Sequence, residues 1–213
     1  NKLRNSAAHP YVAIASGAKI STKVGMLRDL LSKVDTLCLG GVIANVFLAA
    51  QGHYPQHHFS ADDMAAAQNL LEHAGDKLLL PIDLVVGTND GRETAIVPVD
   101  AIPENVECLG DIGPQTVASY LAAAAKAQTI MWNGPMGKFE VDGFSQATMT
   151  LAEELAKLSA FRVVGGGDTM NAIEQKHLTS KFNHVSVGGG AMIEFLEGQR
   201  MPGLEPLYGN QVM

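Results

Sequence analysis

Cysteine is scarce in this chain, since only Cys38 and Cys108 occur among its 213 residues. Both stand in apolar stretches, so they predict buried thiols in a reducing, cytoplasmic compartment and exclude a disulfide framework. Long apolar runs are also missing, because none approaches the ~20 residues that a membrane-spanning helix needs. Residues 1–10 are polar, so we expect neither a signal peptide nor a membrane partner.

An excess of basic residues is likewise absent, since the formal net charge is −7. That balance argues against a general nucleic-acid-binding protein, so any anion site must be local. The 46% hydrophobic content supports a packed core and excludes a disordered chain. Without internal repeats or a low-complexity linker, the simplest interpretation is one domain over 1–213, and we expect a monomer.

Apolar strand-like runs alternate with helical stretches along the chain. The run 11–15 precedes a helix with apolar residues near a 3.6-residue period: Val24, Leu27, Leu30, Leu31 and Val34. Such alternation is typical of βαβ units, so we predict an α/β fold. Its form is a doubly wound, Rossmann-like parallel sheet with helices on both faces, in three αβα layers. The strand-like pieces 83–86 and 94–99 are assigned to this same sheet, and a short apolar piece, 106–109, precedes residues 110–113.

Five predicted strands end in glycine-rich turns. These turns contain Gly17, the pair 40–41, the glycines at 134 and 137, the triplet 165–167 and the triplet 188–190. Each alone is explained by the tight turns that α/β proteins need. Because parallel strands bring their carboxyl ends to one edge, where ligands of such sheets bind, five such turns favour a binding site.

The most informative turn is Gly165-Gly166-Gly167-Asp168-Thr169, which follows the apolar run 161–164. Glycines let a charged ligand approach the backbone amides, and a helix N-terminus favours phosphate. A carboxylate would repel bare phosphate, so Asp168 favours a bridging, hydrated Mg²⁺. The alternative is a tight strand-to-helix turn in which Asp168 caps the helix.

Two lysines, Lys19 and Lys23, are spaced four residues apart at the first turn and the start of its helix. On one helix face they would present two cations to a phosphate chain, although a solvated helix face is the commoner explanation of such a pair taken alone. Competing motifs are missing from the sequence: a G-x-x-x-x-G-K-[ST] loop, a G-x-G-x-x-G first turn and a G-x-S-x-G elbow.

Five motifs in this order resemble those of the C-terminal, nucleotide-binding half of phosphoglycerate kinase. They are GAKISTK at 17–23, GGVIAN at 40–45, WNGPMGKFE at 132–140, GGGDT at 165–169, and GGGA at 188–191 with EFLEG at 194–198. The resemblance extends from about Tyr11 to Leu207. It implies a second, N-terminal domain that binds 3-phosphoglycerate through a basic patch and that is absent from these 213 residues.

The resemblance also implies site residues, with Mg²⁺ and ADP or ATP as cofactor and ligand. Lys19 would approach the transferring phosphoryl group, aided by Gly166 and Gly189, and Asp168 would meet Mg²⁺. Glu140 would bind the ribose hydroxyls, and Leu109 and Gly110 the adenine. The full nucleotide-binding set is Gly17, Ala18, Lys19, Lys23, Gly40, Gly41, Leu109, Gly110, Asn133, Pro135, Glu140, Gly165, Gly166, Gly167, Asp168 and Thr169.

Three positions depart from the family pattern. Val42 stands where a third glycine is common, Gly110 stands near a usual leucine, and Val187 replaces a threonine. The resemblance implies that the intact enzyme interconverts 1,3-bisphosphoglycerate with MgADP and 3-phosphoglycerate with MgATP in glycolysis. The isolated chain should then bind nucleotide with negligible turnover. A non-catalytic nucleotide-binding or sensing module is the main alternative, and a nicotinamide-dependent dehydrogenase domain is a weaker one.

Overall fold

The computed structural model describes residues 3, 6–18, 20, 23–55 and 58–196. The strands are β1 (Tyr11–Ser16), β2 (Thr36–Gly40), β3 (Leu78–Leu79), β4 (Asp83–Gly87), β5 (Thr94–Pro98), β6 (Cys108–Ile112), β7 (Thr129–Asn133), β8 (Phe161–Gly165) and β9 (His184–Ser186). The helices are α1 (Val24–Lys33), α2 (Gly41–Ala50), α3 (Ala61–Ala74), α4 (Pro114–Ala124), α5 (Gln146–Leu155), α6 (Gly167–Gln175) and α7 (Gly189–Leu196).

Six strands form one parallel sheet in the order β3-β2-β1-β7-β8-β9. From β1 the chain winds outward through β2 to β3, and from β7 it winds the other way through β8 to β9. The order therefore reverses between the adjacent strands β1 and β7, which is the topological switch point of a doubly wound fold. The predicted fold class is confirmed.

Strand β1 shows how the sheet becomes the middle of three layers. Its alternate residues Tyr11, Ala13 and Ala15 pack into one core cluster with α1, α2 and α3. Val12 and Ile14 enter the second cluster with α4, α5 and α6. All six residues of this strand are buried, as expected for a central parallel strand covered on both faces.

The prediction of a single parallel sheet was wrong for β4, β5 and β6. These strands form a separate three-stranded sheet in the order β5-β4-β6, and both of its strand pairs are antiparallel. The connection from β4 to β5 spans only residues 88–93, whereas a parallel crossover needs a dozen or more residues. The short link therefore forces a hairpin.

Strand β6 begins within the apolar piece 106–109 and continues through Gly110, Asp111 and Ile112. Asp111 is buried, and its carboxylate accepts hydrogen bonds from the backbone N–H groups of Ala147 and Ile112, each at 2.9 Å. A Cβ on Gly110 would lie 2.1 Å from the Phe144 ring, so only glycine fits there. The satisfied Asp111 carboxylate and the close ring contact at Gly110 thus allow the strand to continue through both residues.

Helix starts follow the local backbone chemistry. Ser60 is the N-cap of α3, and its hydroxyl accepts from the Asp63 N–H at 3.1 Å. Helix α6 begins at Gly167, because Gly166 takes the N-cap position with φ +105°. Asp168 therefore lies in the first turn and is not the cap. Among the described residues, no helix is both long and apolar enough to cross a membrane.

Burial of Asp111 predicts a pH-dependent stability. Burial raises the pKa of this carboxyl from 3.8 to about 7. The folded chain thus holds the proton more tightly than the unfolded chain, so this stabilisation is complete below about pH 4 and is lost as the pH rises to about 7. Between pH 5 and pH 8 we expect the free energy of unfolding to fall by about 2 to 3 kcal/mol through this group.

The measurement is urea unfolding of the wild-type chain and of Asp111→Asn across that range. In Asp111→Asn the free energy of unfolding should no longer fall by this amount between pH 5 and pH 8. In Asp62→Asn, on the exposed start of α3, it should fall as in the wild-type chain. An unchanged decline in Asp111→Asn would contradict the assignment.

Candidate functional site

A cavity of about 500 Å³ opens at the carboxyl edge of the parallel sheet, at the switch point between β1 and β7. Turns that follow β1, β7, β8 and β9 form its walls, which is where the chain reversal leaves a crevice. The lining residues are Ser16, Gly17, Lys23, Asn133, Gly134, Pro135, Gly166, Gly167, Asp168, Thr169, Gly189, Gly190 and Glu194.

Lys23 provides the cationic wall of the cavity. It occupies the N-cap position of α1, and its ammonium donates to the Ser16 carbonyl oxygen and, at 3.0 Å, to Asn133 Oδ1. A Cβ on Gly17 would lie 3.0 Å from Lys23 Nζ, so the glycine makes room for the lysine. Burial lowers the pKa of this amine below its ordinary value, because the charged form loses part of its hydration.

The start of α6 forms the opposite wall. Strand β8 ends at Gly165, and Gly166 turns the chain with a positive φ that glycine adopts without strain. The first-turn N–H groups of a helix lack intrahelical partners, so they can serve an anion. Thr169 Oγ1 accepts a 2.8 Å hydrogen bond from the Gly134 N–H and thereby fixes α6 to the turn after β7.

The start of α7 completes the cavity. A Cβ on Gly189 would lie 2.9 Å from Gly166 Cα, so the turns after β8 and β9 touch backbone to backbone. Glu194 lies one turn further along α7 than Gly190 and also lines the cavity. Two helix N-termini therefore open onto the same space.

The charges of the cavity suit an anion that carries a divalent cation. Among the described residues, the Lys23 ammonium and two helix N-termini favour negative charge, while the carboxylates of Asp168 and Glu194 would repel it unless a cation intervened. Mg²⁺ is usually held by one or two carboxylates together with substrate phosphates. The described residues contain no cluster of three or more His, Cys, Asp or Glu that could hold a metal unaided. Asp168 provides the single carboxylate that a Mg²⁺ ion held mainly by phosphates needs.

Nine of the predicted site residues line this cavity. They are Gly17, Lys23, Asn133, Pro135, Gly166, Gly167, Asp168, Thr169 and Gly189. They come from four different turns and lie together because the parallel strands end at one edge. Lys19, predicted to approach the transferring phosphoryl group, lies outside the described residues.

Seven other predicted residues are described but do not appear in the lining: Ala18, Gly40, Gly41, Leu109, Gly110, Glu140 and Gly165. Gly165 is buried below the surface, and a Cβ there would meet the Met192 side chain at 2.3 Å. Ala18 and Glu140 are exposed.

The remaining four, Gly40, Gly41, Leu109 and Gly110, belong to segments that form backbone hydrogen bonds with residues 136–138. The Gly41 N–H donates to the Met136 carbonyl at 2.7 Å, and the Lys138 N–H donates to the Gly110 carbonyl at 2.8 Å. Leu109 precedes Gly110 in β6 and is half-buried. These residues form a second group beside the turn after β7.

Four lining residues were not predicted as site residues: Ser16, Gly134, Gly190 and Glu194. Ser16, Gly134 and Gly190 each adjoin a predicted residue in a glycine turn, so their position at a strand end was an available signal. Glu194 could be predicted only from the helical spacing of α7, which brings it one turn from Gly190.

Comparison with known proteins supplies the context for this geometry. A family model described as phosphoglycerate kinase matches residues 1–199. The phosphoglycerate kinase of Pelotomaculum thermopropionicum is 43% identical over 212 residues, which cover 97% of this chain and 54% of that protein. The one from Coxiella burnetii is 43% identical, with 93% of this chain and 52% of that protein covered.

Solved structures agree. The structure of the Coxiella burnetii phosphoglycerate kinase matches with a TM-score of 0.87 at 41% identity, and covers 93% of this chain and 53% of that one. The Pyrococcus horikoshii phosphoglycerate kinase matches with a TM-score of 0.83 at 27% identity, and covers 97% and 54%. The chain spans about half the length of the curated relatives it matches. Both its sequence and its fold show that it belongs to the phosphoglycerate kinase family.

Proposed function

We propose that residues 1–213 are the C-terminal, nucleotide-binding domain of a phosphoglycerate kinase and that MgADP or MgATP binds in the cavity at the switch point. The observation that carries this proposal is the convergence of Lys23, Asp168 and the two glycine-opened helix starts on one space. In a chain of this family, an ammonium and helix N-termini there suit the phosphates of a nucleotide. Mg²⁺, held by Asp168 and the phosphates, would neutralise phosphate charge.

The intact protein is proposed to transfer a phosphoryl group between 1,3-bisphosphoglycerate and MgADP, giving 3-phosphoglycerate and MgATP. The acceptor in the reverse direction is a carboxylate, which is ionised at neutral pH because its pKa lies near ~4. Phosphoryl transfer of this kind needs positioning and charge stabilisation, so a general base is not required. Lys19, Gly166 and Gly189 are proposed to surround the transferring group, and the two buried thiols suit a cytoplasmic location.

The second group of predicted residues is proposed to hold the nucleoside. Glu140 would accept the ribose hydroxyls, while Gly40, Gly41, Leu109 and Gly110 would border the base. Support comes from the backbone bonds that connect these segments to residues 136–138, directly after the cavity-lining Pro135.

Binding of nucleotide is tested by isothermal titration with MgADP. Lys23→Ala should raise Kd by about 10- to 100-fold, because a hydrogen bond to a charged group contributes about 1.5–3 kcal/mol. Asp168→Ala should weaken MgADP binding but not magnesium-free ADP, since its carboxylate repels bare phosphate.

The controls match each change by position. Asp62→Ala alters the second residue of α3, as Asp168→Ala does in α6, and Lys126→Ala removes an exposed lysine just after α4. Neither control should change Kd. Absence of MgADP binding by the wild-type chain would refute the proposal.

The contact between Gly189 and Gly166 offers a steric test. Gly189→Ala should push the start of α7 away from the α6 turn and raise Kd for MgADP about tenfold, as overpacking costs about 1–3 kcal/mol. Gly188→Ala changes the preceding residue, which does not line the cavity and where a Cβ would contact only the Ala191 Cβ, at 3.3 Å, so this variant should raise Kd much less. Equal affinities for both variants would argue against the touching turns as part of the site.

Turnover is tested separately. The chain alone should not phosphorylate 3-phosphoglycerate from MgATP above background, because acceptor binding and domain closure would supply the orientation that the reaction needs. A coupled assay, with the full-length Coxiella burnetii enzyme as positive control, measures this. Substantial turnover by the chain alone would show that a second domain is unnecessary.

A further inference from the structure

Asn133 lines the cavity from β7, the strand that lies between β1 and β8. Asn133 is the last residue of β7, and its neighbours in the sheet are Ala15 on β1 and Gly165 on β8. Its side chain is almost fully buried, with 2% of the residue exposed. It therefore stands between the wall that carries Lys23 and the wall that leads into α6.

Two hydrogen bonds fix the orientation of this amide. Its Oδ1 accepts from Lys23 Nζ at 3.0 Å, and its Nδ2 donates to the Gly165 carbonyl at 3.2 Å. An ammonium can only donate and a carbonyl can only accept, so the reversed amide would lose both bonds. Asn is the residue that meets both demands, because an aspartate at 133 has no donor for the Gly165 carbonyl.

The amide also occupies the space where the glycine turns meet. A Cβ on Gly165 would lie 3.3 Å from Asn133 Nδ2, and one on Gly189 would lie 3.7 Å away. The amide group thus packs against the turns after β8 and β9 while it holds the lysine of α1. A long lysine side chain loses considerable rotamer entropy on being fixed, and a preformed acceptor supplies that order before a ligand arrives.

We propose that Asn133 is a positioning residue that acts through Lys23: its amide holds the ammonium at the cavity wall and connects it to the Gly165 turn before α6. The inference rests on the proposed nucleotide site and adds the means by which Lys23 is placed. It assigns Asn133 an effect on the ligand that is transmitted by the lysine.

A double-mutant cycle tests transmission through Lys23. Asn133→Leu removes both hydrogen bonds at similar size and should weaken MgADP binding about tenfold in the wild-type background. In the Lys23→Ala background the same change should have little further effect, because the interaction that it disturbs is already gone. An equal loss in both backgrounds would overturn the positioning role.

A second readout follows the lysine itself. The pKa of the Lys23 amine is measured by NMR on ¹³C-lysine-labelled protein, with the signal assigned by its loss in Lys23→Arg. Asn133→Asp should raise this pKa above its wild-type value, because a carboxylate favours the ammonium. Asn133→Leu should lower it below the wild-type value, because the ammonium loses an acceptor. A pKa that stays unchanged in both variants would overturn the proposal.

Thr148→Val is the matched structural control. Thr148 Oγ1 is buried and accepts from the Met136 N–H at 2.9 Å, so its loss disturbs the same turn without touching Lys23. This variant should leave the Lys23 pKa unchanged. A shift as large as that of the Asn133 variants would make the effect a general disturbance of the turn. Failure of the wild-type chain to bind MgADP would overturn the nucleotide site, whereas binding with an unchanged lysine pKa would overturn only the role of Asn133.

Discussion

The parallel pairing of β1 with β7 is the constraint on which the candidate site depends. These strands are neighbours in the sheet although residues 17–128 separate them in the chain, and each continues its winding in the opposite direction. The connections that leave their carboxyl ends therefore run in opposite directions and leave a crevice between them. Every wall of the cavity is a turn or helix start that leaves this edge. Any change that shifted the β1–β7 register would separate Lys23 from Asn133.

At this edge of the sheet, glycines allow neighbouring turns to approach each other closely. Gly134 and Gly166 adopt positive φ angles, and Gly189 meets Gly166 backbone to backbone. A Cβ on Gly134 would lie 2.7 Å from the Ser16 carbonyl oxygen, and one on Gly189 would lie 2.9 Å from Gly166 Cα, so side chains there would hold the turns apart. The cavity is thus lined by backbone as much as by side chains, which suits a ligand rich in negatively charged oxygen atoms.

The electrostatics of the cavity are local and differ from those of the whole chain. A net charge of −7 would not attract an anion. Inside the cavity, Lys23 and two helix N-termini attract negative charge at short range. Asp168 and Glu194 add negative charge, so the cavity is not purely basic. A nucleotide with its magnesium ion matches this mixture better than either component alone.

Local sequence determined the features that depend on neighbouring residues. The apolar run before Gly165 and the glycine turns were both recognisable, because strand burial and tight turns follow from adjacent residue types. The family motifs extended this to named site residues such as Lys23 and Asp168. The sequence did not show the antiparallel sheet of β4, β5 and β6, since strand patterns carry no pairing direction.

Only the tertiary structure decided which of these residues meet. Lys23 and Asn133 are 110 positions apart, and their hydrogen bond exists because β7 inserts beside β1. The same packing placed Gly165 beneath Met192 and brought the unpredicted Glu194 to the cavity. Residue type and spacing determine the local conformation, whereas strand order and side-chain packing determine the contacts between distant segments.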